Sequence, residues 1–279
     1  MLPAIKLLRP QQWLKNIILF FPSFFNGSLT TDFSRPSLLL ALVSFCLISS
    51  AMYIFNDLAD IKEDQQHPQK RHRPLAAGII TPGSALRVAA ILILLTCLTA
   101  GSLSGVFLIL LAGYVIISLL YTHFLKHIAI LDIICVSVGF LIRLQAGGVA
   151  SHIHISEWLF ISVFLLAAFL STGKRVYEKD SLGAEAVHHR ASLDLYPAGF
   201  LDGMMFITGA AVMITYSLYV ITKPGLIYTL PICFFALLRY TFLAKNKVVG
   251  DPTEAILRDS PLFISSLFWA IMVAFIIYS

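Results

Sequence analysis

The sequence predicts an all-α polytopic membrane protein, a bundle of nine transmembrane helices, and three observations carry that expectation. Of 279 residues, 58% are apolar and 13% charged, against roughly 45–50% and 25% in an ordinary soluble domain, which excludes a soluble globular enzyme. Mean hydropathy is +0.85, and apolar runs of about 20 residues, the length that crosses a bilayer as a helix, recur from Ile17 almost to Ser279. Bases crowd into alternate connections. Backbone in lipid has to satisfy its own hydrogen bonds, and runs of this length do so as helices.

Polar clusters divide the runs into spans at 16–31, 36–57, 84–102, 105–124, 128–149, 155–173, 200–222, 225–244 and 260–278. The first follows Lys6, Arg9, Trp13 and Lys15 and reads as a retained span, because no small-residue cleavage site comes after it; Pro22 and Asn26 interrupt it. Gly101 to Gly105 and Pro224-Gly225 are tight hairpin connections. Cys46, Cys97, Cys135 and Cys233 lie singly in apolar runs without metal or disulfide spacing. No repeat or linker divides the chain, so residues 1–279 read as one integral-membrane domain. Gly139, Gly147 and Gly148 permit close helix approach, within a bundle or between subunits alike, so the oligomeric state stays open.

Lys and Arg accumulate at the cytoplasmic ends of spans. Seventeen of the 20 bases fall on the N-terminal side of the nine spans, Arg35 and Lys223 fall on the other, and Arg143 lies inside span five. The N-terminus is therefore expected in the cytoplasm and the C-terminus outside. The +5 balance points to membrane lipids or anionic substrates rather than nucleic acid. Asp57, Asp60, Glu63 and Asp64, then Glu178, Asp180, Glu185 and Asp194, share the basic side, and mixed acids and bases at two loop mouths read as a site.

If helix continues past span two, Asn56, Asp60 and Asp64 are spaced i, i+4, i+8 and Asp57, Asp60 and Asp64 i, i+3, i+7, so all share one face. Carboxylates so placed repel unless a cation lies between them, and an all-oxygen set suits Mg²⁺, which commonly shares its shell with substrate phosphates. The run from His67 to Pro74 then offers Lys70, Arg71 and Arg73 as phosphate ligands, or as an anchor for anionic lipid. Arg143 has to face the bundle interior, since an unpaired guanidinium in lipid is costly. Asp132 lies about 16 Å from it along the helix, too far to be its direct partner, which leaves a backbone carbonyl, an acid on another helix, or substrate. His152 with His154 and His188 with His189 read as solvated.

The pattern NDxxDxxxD at 56–64 followed by HPxKRxRPLAAG at 67–78 resembles the first aspartate-rich motif of the UbiA superfamily of membrane prenyltransferases. RPQQWLKN at 9–16, LDIICVSVGFLIRLQAGG at 131–148, GKRVYE at 173–178 and DPTEAILRD at 251–259 resemble one branch, the polyprenyl-phosphate phosphoribosyltransferases. The resemblance implies a UbiA-like bundle in a bacterial plasma membrane, its central cavity open to the cytoplasm. It implies Mg²⁺-dependent transfer of 5-phosphoribosyl from phosphoribosyl pyrophosphate to a polyprenyl phosphate, a lipid-linked pentose precursor for cell-envelope glycans. Asn56, Asp57, Asp60 and Asp64 would hold the metal, and Asp57, Asp60, Asp64, Lys174 and Arg175 would be catalytic. Lys15, Asn16, Asn56, Lys70, Arg71, Arg73, Lys126, Arg143, Tyr177 and Glu178 would bind substrate. Aromatic prenyltransferases of the superfamily carry a second DxxxD after span six; this chain has Lys174, Arg175, Tyr177, Glu178, Lys179 and Asp180 there, which favours a second anionic substrate. The competing expectations are an aromatic prenyltransferase using a prenyl diphosphate, and a transporter whose buried charges line a path.

Overall fold

The computed structural model describes residues 3–33, 35–66, 70–182 and 191–279; His67, Pro68, Gln69, Glu185, His188 and His189 lie outside them. Eight helices are long and apolar enough to cross a membrane: α1 Pro36–Ala59, α2 Pro82–Ala100, α3 Gly105–His123, α4 Leu131–Ser151, α5 Glu157–Ser181, α6 Phe200–Ile221, α7 Leu226–Lys245 and α8 Ser260–Tyr278. They correspond to the second through ninth expected spans, and no strand occurs among the described residues. Local chemistry sets their starts. The side chains of Thr81, Ser104 and Asp259 accept from backbone N–H groups in the first turns of α2, α3 and α8, satisfying donors that the helix itself cannot.

The first expected span takes a different form. A 3-10 helix over Pro10–Phe20 passes directly into an α-helix over Phe21–Asn26, which ends at Gly27 in the left-handed region, φ 76°. At about 2.0 Å per residue for the 3-10 part and about 1.5 Å for the α part, the segment reaches about 31 Å, close to the thickness of the hydrocarbon core. Such a long 3-10 run needs support from its neighbours, and α4 provides it. A Cβ on Gly147 would lie 2.1 Å from the Leu19 carbonyl oxygen, so the two backbones meet only because that position is glycine. Gly148 likewise abuts Ile153 and Ile155, and Gly139 lies beside Arg143 and Tyr114, so all three glycines serve packing inside the chain.

Helix α4 is the axis of the bundle: Ala146, Ile133 and Leu144 on it each belong to a different apolar cluster. One cluster gathers Phe45, Phe107 and Tyr114 around α1 to α3; the second gathers Phe169, Met205 and Tyr240; the third gathers Phe25, Tyr219 and Val273. In α4 and α5, 61% of the apolar window is buried, against 11% in α8, so the first two form the inner wall and α8 lies outermost. Ile109, Ile207 and Phe275 stay exposed, as expected of side chains facing lipid. All four cysteines are free.

Candidate active site

A cavity of about 420 Å³ opens where α1, α3 and α5 end and the 3-10 segment begins, and its lining descends to Gly139 and Arg143 halfway along α4. Eight bases (Arg9, Lys15, Lys70, Arg73, Lys126, Arg143, Lys174, Arg175) and three acids (Asp60, Glu178, Asp251) line it. A concave chamber with one sign of charge in excess focuses its field on anions.

The acidic motif forms one wall. α1 ends at Ala59, Asp60 adopts φ −98°, ψ 12°, and helix resumes over Ile61–Gln66. The i to i−4 backbone bonds still run across this junction, Asp60 N–H to the Asn56 carbonyl at 3.0 Å and Asp64 N–H to the Asp60 carbonyl at 2.8 Å, but the carboxylates divide between two sets of partners. Asp57 accepts from Arg9, and also from Arg73 at 3.1 Å; Asp64 accepts from the same Arg73 nitrogen at 2.6 Å. Asp60 turns instead to Asn56, 2.9 Å, and to Lys126. Asp57 and Asp64 are buried and stand behind Arg9 and Arg73 rather than in the cavity lining. Burial pushes the Asp64 carboxyl above its usual range, and Arg73 only partly offsets this. Among the described residues, no three Asp, Glu, His or Cys side chains converge as a metal cage. The oxygen donors Asn56, Asp57, Asp60 and Asp64 still suit a hard cation, with cationic side chains now in place against the three carboxylates.

The basic run follows 3-10 geometry. Lys70–His72 is a 3-10 turn with Arg73 N–H bonded to the Lys70 carbonyl, 2.9 Å. Residues three apart eclipse in such a turn, so Lys70 and Arg73 face the cavity together. Arg71 points away, exposed beside His72 at 3.5 Å, and so is not among the lining residues. Burial lowers the Lys70 ammonium to about 8, against the opposing influence of Glu178.

Helix α5 and the connection after α7 form the facing wall. Lys174 and Glu178, one turn apart, and Arg175 face inward, whereas Tyr177 is turned to the side, against Gly250, and misses the cavity. A Cβ on Gly250 would lie 2.3 Å from the Tyr177 ring, and one on Gly173 would lie 2.5 Å from Tyr240. These two glycines let the connection lie flat on α5, where the Tyr240 hydroxyl donates to the Gly250 carbonyl at 2.9 Å. Asp251 is thereby placed 3.1 Å from Lys174 and caps the helix Pro252–Arg258. Burial alone would raise the Asp251 carboxyl; Lys174 and Lys15 outweigh it and hold it well below the usual range. Arg175, 3% exposed, bonds Glu178 and lies 2.9 Å from Asp132. Asp132 also accepts from the Tyr196 hydroxyl, 2.8 Å.

At the floor, Arg143 donates to Asn16 Oδ1 at 2.7 Å, the Gly139 carbonyl at 2.9 Å and the Tyr114 hydroxyl at 2.9 Å. Asp132 pairs with Arg175 instead, in keeping with the separation expected from helical rise. These partners of Arg143 are neutral, so its charge remains directed at the chamber. Asn16 is fully buried behind that guanidinium and orients it from outside the cavity lining.

A family model described as the UbiA prenyltransferase family matches residues 19–267. The chain belongs to this family. Among UbiA relatives it is 32% identical to the decaprenyl-phosphate phosphoribosyltransferase of Mycolicibacterium smegmatis, over 95% of this chain and 89% of that protein. It is 33% identical to the decaprenyl-phosphate phosphoribosyltransferase of Corynebacterium glutamicum, over 98% and 86%. A solved UbiA homolog from Archaeoglobus fulgidus, bound to GPP and Mg²⁺, shares the fold with a TM-score of 0.73 at 20% identity, covering 99% of both chains.

Within this UbiA fold, Arg9, Tyr114, Asp132 and Asp251 join the site without having been singled out by the sequence as site residues. Asp132 did carry a signal: a carboxylate two residues inside a span needs a partner, and Arg175 is that partner. Arg9 and Asp251 sit in charged stretches at span ends, where sequence spacing alone does not separate a cavity residue from an interfacial one.

Proposed function

We propose that this protein transfers a 5-phosphoribosyl group from phosphoribosyl pyrophosphate to a polyprenyl phosphate, releasing pyrophosphate and yielding polyprenyl phosphoryl-5-phosphoribose. The observation that carries the reading is the excess of bases over acids in the chamber as a whole, eight against three in its lining, with the aspartates of the acidic motif set in one wall. One wall suits a diphosphate delivered with a metal ion, and the other suits a second anion. The names of the two phosphoribosyltransferase relatives support the same reaction, and the basic ends gathered at the mouth support a cytoplasmic opening, with the N-terminus inside, the C-terminus outside and soluble donor entering from the cytoplasm.

Mg²⁺ held by Asn56, Asp57, Asp60 and Asp64 would neutralise charge on the leaving diphosphate. Lys70 and Arg73 flank that wall and bind donor phosphates. Lys15, Lys174 and Arg175 hold the lipid phosphate, with Asp251 fixing Lys174 and Glu178 fixing Arg175 while offering an acceptor to ribose hydroxyls. Arg143 contributes positive potential from the floor, and Lys126 works beside Asp60. A phosphate oxygen of the lipid attacks the anomeric carbon as its bond to pyrophosphate breaks. The nucleophile is already ionised, so no general base is needed, and rate comes from positioning and from stabilising departing charge. The product is a lipid-linked pentose for envelope glycan synthesis.

The test is protein purified in detergent with Mg²⁺, labelled phosphoribosyl pyrophosphate and a polyprenyl phosphate. Label should enter the lipid phase with equimolar pyrophosphate release. Absence of transfer there, with turnover of a prenyl diphosphate and 4-hydroxybenzoate in a parallel reaction, would replace this reading by aromatic prenylation.

A further inference from the structure

The carboxylates of the acidic wall are matched in number by cations. Asp57 takes Arg9 and Arg73, Asp64 takes Arg73, and Asp60 takes Lys126, so three acids are paired with three bases, with Lys70 close by and drawn most strongly to Glu178. With Asp57 and Asp64 buried, water contributes little to that balance. Two further observations distinguish these cations from ordinary structural partners. All three line the cavity, where an incoming anion can reach them. Arg9 also holds a left-handed backbone, φ 51° and ψ 57°, at the turn into Pro10–Phe20; a non-glycine residue adopts this at a cost, and such strain collects at functional positions.

We propose that Arg9, Arg73 and Lys126 are exchange cations, neutralising Asp57, Asp60 and Asp64 in the unloaded protein and turning onto the donor's diphosphate when a divalent ion takes over the carboxylates. The proposal rests on the acidic wall being the metal site and adds an energetic rule to it. A divalent ion arriving alone meets carboxylates that are already paired and has to strand three cations beside itself. Diphosphate arriving alone meets cations whose other neighbours are carboxylates, which repel it. Together, each supplies the partner that the other displaces, so their binding is mutually reinforcing, and by linkage equally so in both directions. Arg9 becomes a substrate-contacting residue in the loaded state, although it lies 47 positions before the start of the acidic motif.

Equilibrium dialysis at fixed free Mn²⁺, with bound metal read by electron paramagnetic resonance, tests this with and without inorganic pyrophosphate. The wild type should bind Mn²⁺ at least about tenfold more tightly when pyrophosphate is present. Arg9→Gln and Arg73→Gln should each bind Mn²⁺ alone severalfold more tightly than the wild type and lose most of the reinforcement by pyrophosphate. Arg73→Lys, which keeps the charge, should retain the weak wild-type affinity for Mn²⁺ alone. The proposal is overturned by Gln variants that keep the wild-type melting temperature yet show unchanged or weaker Mn²⁺ binding alone, or undiminished reinforcement. Lys126→Gln, at the more open Asp60, decides the matter in the same way where the guanidinium variants do not fold. A wild type that takes up no Mn²⁺ in either condition refutes the metal assignment itself.

Discussion

On the α1 side of the cavity, Asp57, Asp60 and Asp64 are balanced by Arg9, Arg73 and Lys126. On the α5 side, Lys15, Lys174 and Arg175 face Glu178 and Asp251, with Asp132 behind them, while Arg143 at the floor between the walls is bonded to neutral groups. Both walls are built from helix ends at the same end of the bundle, and both mix acids with bases. On the first wall each carboxylate already has a cation against it, so a new ligand there has to displace one. Bases outnumber acids in the lining, Lys70 beside the first wall and Arg143 at the floor among them, and make the chamber as a whole attractive to anions. Two anionic substrates can thus share one chamber while their mutual repulsion is offset from opposite sides.

The sharpest way to break this comparison is Asp64→Ala or Asp60→Ala. Either should cost about a hundredfold or more in transfer, the scale of losing a group that stabilises developing charge, with helix content by circular dichroism unchanged. Retained activity in both would remove the proposed metal-binding role from the α1 wall. On the α5 wall, Lys174→Met should raise the KM for polyprenyl phosphate by about tenfold or more, as expected for one charge-assisted hydrogen bond, and leave the KM for phosphoribosyl pyrophosphate nearly unchanged. Equal effects on both KM values would merge the two walls into one site.

The Lys70 ammonium, lowered to about 8 by burial, gives a pH signature. With Lys70 holding a donor phosphate as proposed, it is already charged below that value, and above it binding has to take up a proton. Donor affinity should therefore fall with rising pH beyond about 8, by up to about tenfold per unit. Lys70→Arg should lack that inflection when the two titrations are measured side by side. Gly250→Ala places a methyl group against the Tyr177 ring, at an overpacking cost of about 1–3 kcal/mol, and lifts Asp251 from Lys174. A lowered melting temperature with a severalfold loss of transfer is expected. Arg71→Ala, on the exposed side of the turn, should change activity by no more than about twofold, whereas a large loss would place the donor outside the cavity.

Much of this arrangement was legible in the residues. Spans two to nine followed from run length, because a bilayer demands about 20 apolar residues per helix, and the acidic motif with its basic neighbour pointed to phosphate chemistry from residue types alone. The direction of each side chain was less accessible. Spacing groups Asn56, Asp57, Asp60 and Asp64, but only their partners from elsewhere in the chain divide them, Asp57 and Asp64 onto Arg73 and Asp60 onto Lys126. Lys70, Arg71 and Arg73 are indistinguishable by composition, and the 3-10 turn alone selects the first and third. Tyr177 was expected in the site by its place in GKRVYE, yet its azimuth on α5 turns it onto Gly250.

By itself, the sequence determined that the chain is a helical membrane bundle with scarce charge concentrated at one end, because hydropathy and charge are properties of the residues wherever they fold. The tertiary structure decided which charges meet. Lys174 and Asp251 are 77 positions apart, and Arg143 and Asn16 are 127 apart. Their contacts depend on close approaches at Gly250 and Gly147 that no local period encodes. The 3-10 form of the first span belongs there too, since it gains its support from the α4 and α1 surfaces against which it packs.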